Sequence, residues 1–157
     1  MTNASTNLIV VDSNILIYAV DRDENERGKI ANSVIQSFDR TELGITNSQI
    51  LIEFYSNTTR PRPGRPPILN LDEAHAWITR LLTLLMFRPI TQVVFREAVR
   101  ASLAYQMNIF DAQIWAAAKF AGAAFILTED MQSAPIIEGI HYVNPFDPAF
   151  TFESVGL

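Results

Sequence analysis

Short uninterrupted apolar runs alternate along this chain with longer stretches in which apolar side chains recur every three or four positions. Leu8-Ile9-Val10-Val11 is the first run, rich in β-branched residues and closed by Asp12. Such a run predicts a strand covered on both faces, as in a parallel sheet. Ser13 or Asn14 is placed to cap the helix that Ile15-Leu16-Ile17-Tyr18 begins. After a polar stretch from Asp21 to Gly28, Ile30, Val34, Ile35 and Phe38 fall at helical spacing. Leu43-Gly44-Ile45-Thr46 predicts a second short strand, and Asn47 or Ser48 caps a third helix to about Thr59.

The pattern breaks at Arg60-Pro61-Arg62-Pro63-Gly64-Arg65-Pro66-Pro67, where proline removes donors and excludes helix or central strand. An exposed loop or polyproline-like segment is expected there. Asn70 with Glu73 forms a cap-like start for a helix through Trp77, Leu81, Leu84 and Leu85, which Pro89 should stop. Another helix is expected over about Thr91 to Gln106, with Val94, Ala98 and Ala101 inward. Asn108 caps a strongly apolar helix over Asp111 to Phe120, ended by Gly122. Ala123-Ala124-Phe125-Ile126-Leu127 reads as a further buried strand, and a last one is expected near His141-Tyr142-Val143. Strands alternating with amphipathic helices mean an α/β fold on a mainly parallel sheet, with helices on both faces.

Composition narrows the classes. The 157 residues fit one domain with a real core, and no repeat or second domain is visible. The absence of cysteine excludes disulfides and thiolate metal sites, and two histidines make a zinc site a poor fit. A net charge of -5 counts mildly against a nucleic-acid binder. Met1 to Asn7 lacks the order of a signal peptide, and Arg80 and Arg88 confine the greasiest run to less than a membrane span. A soluble, cytoplasmic protein is expected.

Four acids stand where carboxylates are costly. Asp12 and Asp130 follow buried strands, so both belong at the carboxyl edge of the sheet, where open α/β sheets place ligands. Asp111 sits in the first turn of a helix that is otherwise nearly all alanine and apolar, and Glu53 interrupts Ile50-Leu51-Ile52 and Phe54-Tyr55. Each has an ordinary alternative: a cap or turn for Asp12 and Asp130, dipole stabilisation for Asp111, a solvated face or a bond from Asn57 for Glu53. Glu129 adjoins Asp130, and either can face the site. Jointly the four ask for one explanation, a divalent cation held by oxygen ligands, Mg²⁺ or Mn²⁺.

The motifs resemble those of PIN-domain ribonucleases, in particular the VapC-type toxins of toxin–antitoxin pairs. Val11-Asp12-Ser13-Asn14-Ile15-Leu16 is similar to the family's opening motif, and Ser48-Gln49-Ile50-Leu51-Ile52-Glu53-Phe54 to its second. Phe110-Asp111-Ala112-Gln113-Ile114 with Ala116-Ala117-Ala118 is similar to the third, Leu127-Thr128-Glu129-Asp130-Met131-Gln132 to the fourth, and Val143-Asn144-Pro145-Phe146 to one branch's ending. The match spans roughly Leu8 to Phe146, with nothing distinctive between Arg60 and Gln92. It implies a three-layer α/β/α sandwich: one PIN domain over residues 1–157, a core at about 8–146 and a tail at 147–157. It further implies Mg²⁺-dependent endoribonuclease activity, a homodimer and inhibition by a small antitoxin.

On that reading Asp12, Glu53, Asp111 and Asp130 are the catalytic and metal-binding residues. Ser13, Asn14 and Thr128 fix carboxylate orientation. Arg60, Arg62 and Arg65 can meet RNA phosphates, against the plainer reading of a solvated loop. The tail phenylalanines Phe146, Phe150 and Phe152 are expected to pack on the domain itself. An inactive PIN-like module binding RNA or protein is the non-enzymatic alternative. A haloacid-dehalogenase-like phosphatase would need a second aspartate where Asn14 stands, and a receiver domain would need paired acids and a late lysine.

Overall fold

The computed structural model describes residues 7–130 and 134–157. Met131 and Gln132 of the fourth motif, and most of the polar N-terminal stretch, lie outside the described residues. The strands are β1 (Leu8–Val11), β2 (Gly44–Thr46), β3 (Met86–Phe87), β4 (Ala123–Leu127), β5 (Ile136–Ile137) and β6 (Ile140–Val143). The helices are α1 (Ser13–Val20), α2 (Glu26–Ser37), α3 (Ser48–Thr59), α4 (Leu71–Leu84), α5 (Gln92–Tyr105) and α6 (Ile109–Ala121). Short 3₁₀ turns follow α2 at Phe38–Arg40 and close the chain at Phe152–Val155.

The strands form one sheet in the order β3-β2-β1-β4-β6-β5, parallel throughout except for the antiparallel β5–β6 pair. Connections from β1 to β2 to β3 step one way, and the chain then returns past β1 to reach β4. Right-handed crossovers therefore put α1–α4 on one face and α5–α6 on the other. Contacts agree: α1 packs on α2 and α3, α3 on α4, and α5 on α6. This is the α/β/α sandwich expected from the pattern. Ile9, Val10 and Val11 have no exposed surface, which is why the first run carries no polar alternation. Between β1 and β4 the strand order reverses, and there the carboxyl ends open a crevice suited to ligands.

Two local details depart from the sequence reading, and the proline-rich segment takes the exposed-loop alternative of the two expected for it. Helix α4 ends at Leu84 and not at Pro89, because Leu85 turns inward and Met86–Phe87 pair with Ile45–Thr46 as an edge strand. Strand β5 was not anticipated; it returns onto β6 through Glu138 and Gly139, both at positive φ, as a two-residue hairpin turn requires. The proline-rich segment is not an extended polyproline arm. It folds back at Pro63-Gly64, with Arg65 N–H donating to the Arg62 carbonyl at 3.1 Å and Gly64 at φ +66°.

The tail packs on its own domain: Val155 is fully buried, and the Phe150 and Phe152 rings meet edge to face against the core. Among the described residues no helix is long and apolar enough to cross a membrane.

Gly44 shows how close α4's end comes to β2. A Cβ there would lie 2.4 Å from Leu85 Cδ2 and 2.8 Å from Phe38 Cδ1, both buried side chains. Gly44→Ala is expected to lower unfolding free energy by about 1–3 kcal/mol, the usual cost of overpacking, as read by urea denaturation. An unchanged midpoint would show that Leu85 and Phe38 move aside freely.

Candidate active site

Asp12 ends β1 and begins α1 in the same residue. Its N–H donates to the Leu127 carbonyl at 2.9 Å, stitching it to the end of β4. Its carboxylate then caps α1, with Oδ1 accepting from the Ser13 N–H at 2.7 Å and Oδ2 from the Thr128 hydroxyl at 2.8 Å. The cap is thus Asp12 itself, not Ser13 or Asn14. Those two side chains are released for other partners. Ser13 donates its hydroxyl to Glu53 Oε2 at 2.7 Å. Asn14 donates to Thr128 Oγ1 at 3.0 Å and to Asp130 Oδ2 at 3.2 Å, while its oxygen faces the Glu129 N–H.

Glu53 reaches the cluster from α3. Gln49, one turn earlier, donates to Glu53 Oε1 at 2.8 Å and to the Phe110 carbonyl at 3.1 Å. Gln113 on α6 in turn donates to Gln49 Oε1. These two amides tie the glutamate helix to the third-motif helix, and the sequence reading assigned them no role. Asn57 does bond Glu53, but at its backbone carbonyl and not its carboxylate.

Asp111 occupies the first turn of α6, where Asn108 caps the helix and its amide also holds the Asp111 carboxylate. The choice between Glu129 and Asp130 is resolved by their partners. Glu129 turns to the Tyr18 hydroxyl and pairs with Arg27 at 3.4 Å, whereas Asp130 lines a small cavity.

That cavity is walled by Asp12, Asp111, Asp130, Thr128, Ile114, Ile126 and Tyr142. The space is part-open to solvent and has room for roughly one water or one small ion. Three of the four predicted acids therefore share one wall-to-wall space. Glu53 stands outside it, linked to Asp12 through Ser13.

The cost of this arrangement falls on Asp12, whose pKa is pushed from 3.8 up to about 6. Burial is the main cause, and the charges of Glu53 and Asp111 add to it against the bonds from Thr128 and the Ser13 amide. Tyr142 is the other perturbed wall. The residue is 6% exposed, and its hydroxyl finds no partner among the described residues. Burial and the charges of Asp111 and Asp12 push its pKa up. An orphaned buried hydroxyl costs about 1–3 kcal/mol, so the site carries strain that a ligand would relieve.

Among the described residues, no three His, Cys, Asp or Glu side chains are close enough to hold an ion jointly as they stand. The donor set nonetheless fits a hard cation. Mg²⁺ takes one or two carboxylates and keeps several waters, so it needs no all-protein cage.

The proline-rich arginines lie elsewhere. Arg62 pairs with Asp21 at 3.9 Å and Asp23 at 3.5 Å, Arg65 pairs with Asp23 at 3.1 Å, and Arg60 is exposed. Two of the three therefore already hold acidic partners, in a folded turn.

The sequence profile of the PIN domain matches residues 9–134. This chain belongs to the PIN-domain family. Membership sets aside the phosphatase and receiver readings. No curated protein sequence matches the chain. Among solved structures, this PIN domain is similar to a toxin–antitoxin complex from Klebsiella pneumoniae, with a TM-score of 0.63 at 17% identity, covering 88% of this chain and 98% of that one. FitAcB from Neisseria gonorrhoeae gives 0.61 at 15% identity, over 89% and 99% of the two chains. VapC20 from Mycobacterium tuberculosis, described as a sarcin–ricin loop cleaving toxin, gives 0.60 at 16% identity, over 75% and 86%. At these identities the likeness is one of fold.

Because the folded pKa of Asp12 lies above its unfolded value, its favourable contribution is complete below about pH 4 and lost as pH rises through about 6. The shift of about two units corresponds to roughly 3 kcal/mol of strain at neutral pH. Asp12→Asn keeps the cap and removes the charge. Without divalent cation it is expected to be more stable than wild type at pH 7, by about 1–3 kcal/mol in urea unfolding. The gap should close as pH falls below about 4. Equal stability at pH 7 would show that the Asp12 charge is not strained.

Proposed function

We propose that this PIN domain is a Mg²⁺- or Mn²⁺-dependent endoribonuclease, the toxin of a toxin–antitoxin pair. The observation that carries the reading is the meeting of Asp12, Asp111 and Asp130, from three separate elements, on one water-sized cavity at the reversal of strand order. Asp130 is exposed and Asp111 half-buried, but crowding their charges around Asp12, the carboxylate that burial perturbs, is unfavourable unless a cation or a proton answers them.

Asp12, Asp111 and Asp130 would hold the cation, directly or through waters, with Glu53 adding negative charge from behind Ser13. When bound, the ion supplies a more acidic water and neutralises charge on the phosphate oxygens. The chain's own side chains do the rest. Thr128 and the Ser13 amide fix both oxygens of Asp12. Asn14 bridges Thr128 and Asp130, so the carboxylates from β1 and β4 keep one spacing. As water adds to phosphorus, a carboxylate beside it takes the proton, and the bond to the leaving ribose oxygen breaks.

The toxin assignment and the partners, a small antitoxin and a second copy of the chain, draw support from the similarity in fold to toxins and toxin–antitoxin complexes. RNA is the substrate of the reading. The proline-rich arginines contribute only if phosphate displaces Asp21 and Asp23 from them.

Purified protein with Mg²⁺ is expected to cut single-stranded RNA, and chelation to stop it. Asp12→Asn and Asp111→Asn should each lower the rate by about 10²–10⁴-fold with folding intact by circular dichroism. RNA left uncut by wild type, with no cation binding by calorimetry, would support the inactive binding module instead. Undiminished cleavage in both variants would reject the residue assignment.

A further inference from the structure

Tyr142 stands on β6 beside Ile126 of β4, nine-tenths buried, at the same cavity as Asp12, Asp111 and Asp130. Four buried side-chain groups have no partner among the described residues, those of Thr41, Thr46, Asn47 and Tyr142, and of these residues Tyr142 alone lines the cavity.

The hydrogen inventory of that wall is one-sided. Ionised carboxylates only accept. Thr128 gives its proton to Asp12 and receives both Asn14 and the Asp130 N–H on its oxygen. Ile114 and Ile126 bring no polar atom to their side chains. Among the side chains that line the cavity, Tyr142 is the one with a proton uncommitted. Burial and the nearby charges of Asp111 and Asp12 keep that proton on the oxygen at neutral pH.

We propose that the Tyr142 hydroxyl seats a single water molecule between Asp12 and Asp111. The water turns its hydrogens toward the carboxylates and accepts the tyrosine proton on one lone pair. Its second lone pair is left for the cation that Asp12, Asp111 and Asp130 would hold through it, and the electron pair that attacks is the one freed when a carboxylate takes its proton. The cavity has room for about one such molecule. In the nuclease reading, on which the catalytic use of this water rests, it is the molecule that meets phosphorus.

Tyr142→Phe removes the hydroxyl and little else. In crystals grown without divalent cation, wild type is expected to show one ordered water in hydrogen-bond reach of Tyr142, Asp12 and Asp111. The variant should lack it. In RNA assays with Mg²⁺, kcat should fall about tenfold, the rate equivalent of one lost hydrogen bond, with KM for RNA unchanged. Its melting temperature should match or exceed wild type, because the hydroxyl has no protein partner to lose. A dry wild-type cavity, or a water that stays in place in the variant, overturns the proposal. Cleaving wild type with an equally fast variant likewise removes the role while leaving the nuclease reading intact. A tyrosine-dependent water in a protein that cuts no RNA keeps the water site and sinks the nuclease reading.

Discussion

The parallel pairing of β1 with β4 is the constraint on which the site depends. It runs in register to Val11 opposite Leu127, and the next backbone bond, Asp12 N–H to the Leu127 carbonyl, carries it one residue further. Every later feature inherits that alignment. Asp12 and Thr128 become neighbours across the sheet edge, and Asn14 spans the same gap from the first turn of α1. Two strands bearing acids at their carboxyl ends need only lie side by side and parallel to bring those acids together. The third acid needs a helix delivered from the opposite face, which the return crossover through α5 and α6 provides.

Much of this was legible in the chain. The apolar runs at Leu8 and Ala123 are continuous because both strands are sandwiched, and the caps at Asn47, Asn70, Asn108 and Gly122 lie where their side chains or φ angles require. Predictions failed where a short segment follows its neighbours instead of its own pattern. Met86–Phe87 is strand because β2 offers an open edge, a fact that no window around Pro89 contains. Ile136–Ile137 is too brief to show a period, although Glu138-Gly139 between two isoleucines is itself a turn signal.

Within the site, the acids stood out because charge in apolar sequence is conspicuous. Gln49, Gln113 and Tyr142 did not, since uncharged residues amid helix and strand carry no comparable mark. Their roles exist only through distance, between α3 and α6 for the amides and between β6 and the acids for the tyrosine. The orientation of Glu129 against Asp130 was equally closed to sequence, because adjacent residues at a strand end point opposite ways and both were acidic.

That adjacency divides two kinds of work between consecutive carboxylates. Glu129 is gripped by Tyr18 and by Arg27, whose guanidinium lies over the Tyr18 and Phe146 rings. The grip moors the loop just after β4, and its mooring reaches as far as the C-terminal segment that supplies Phe146. Asp130 is thereby presented from a tethered neighbour and not from a loose tip. A chain that exchanged the lengths of these two acids would keep its net charge and lose its anchorage, since an aspartate at the first place falls one methylene short of Tyr18.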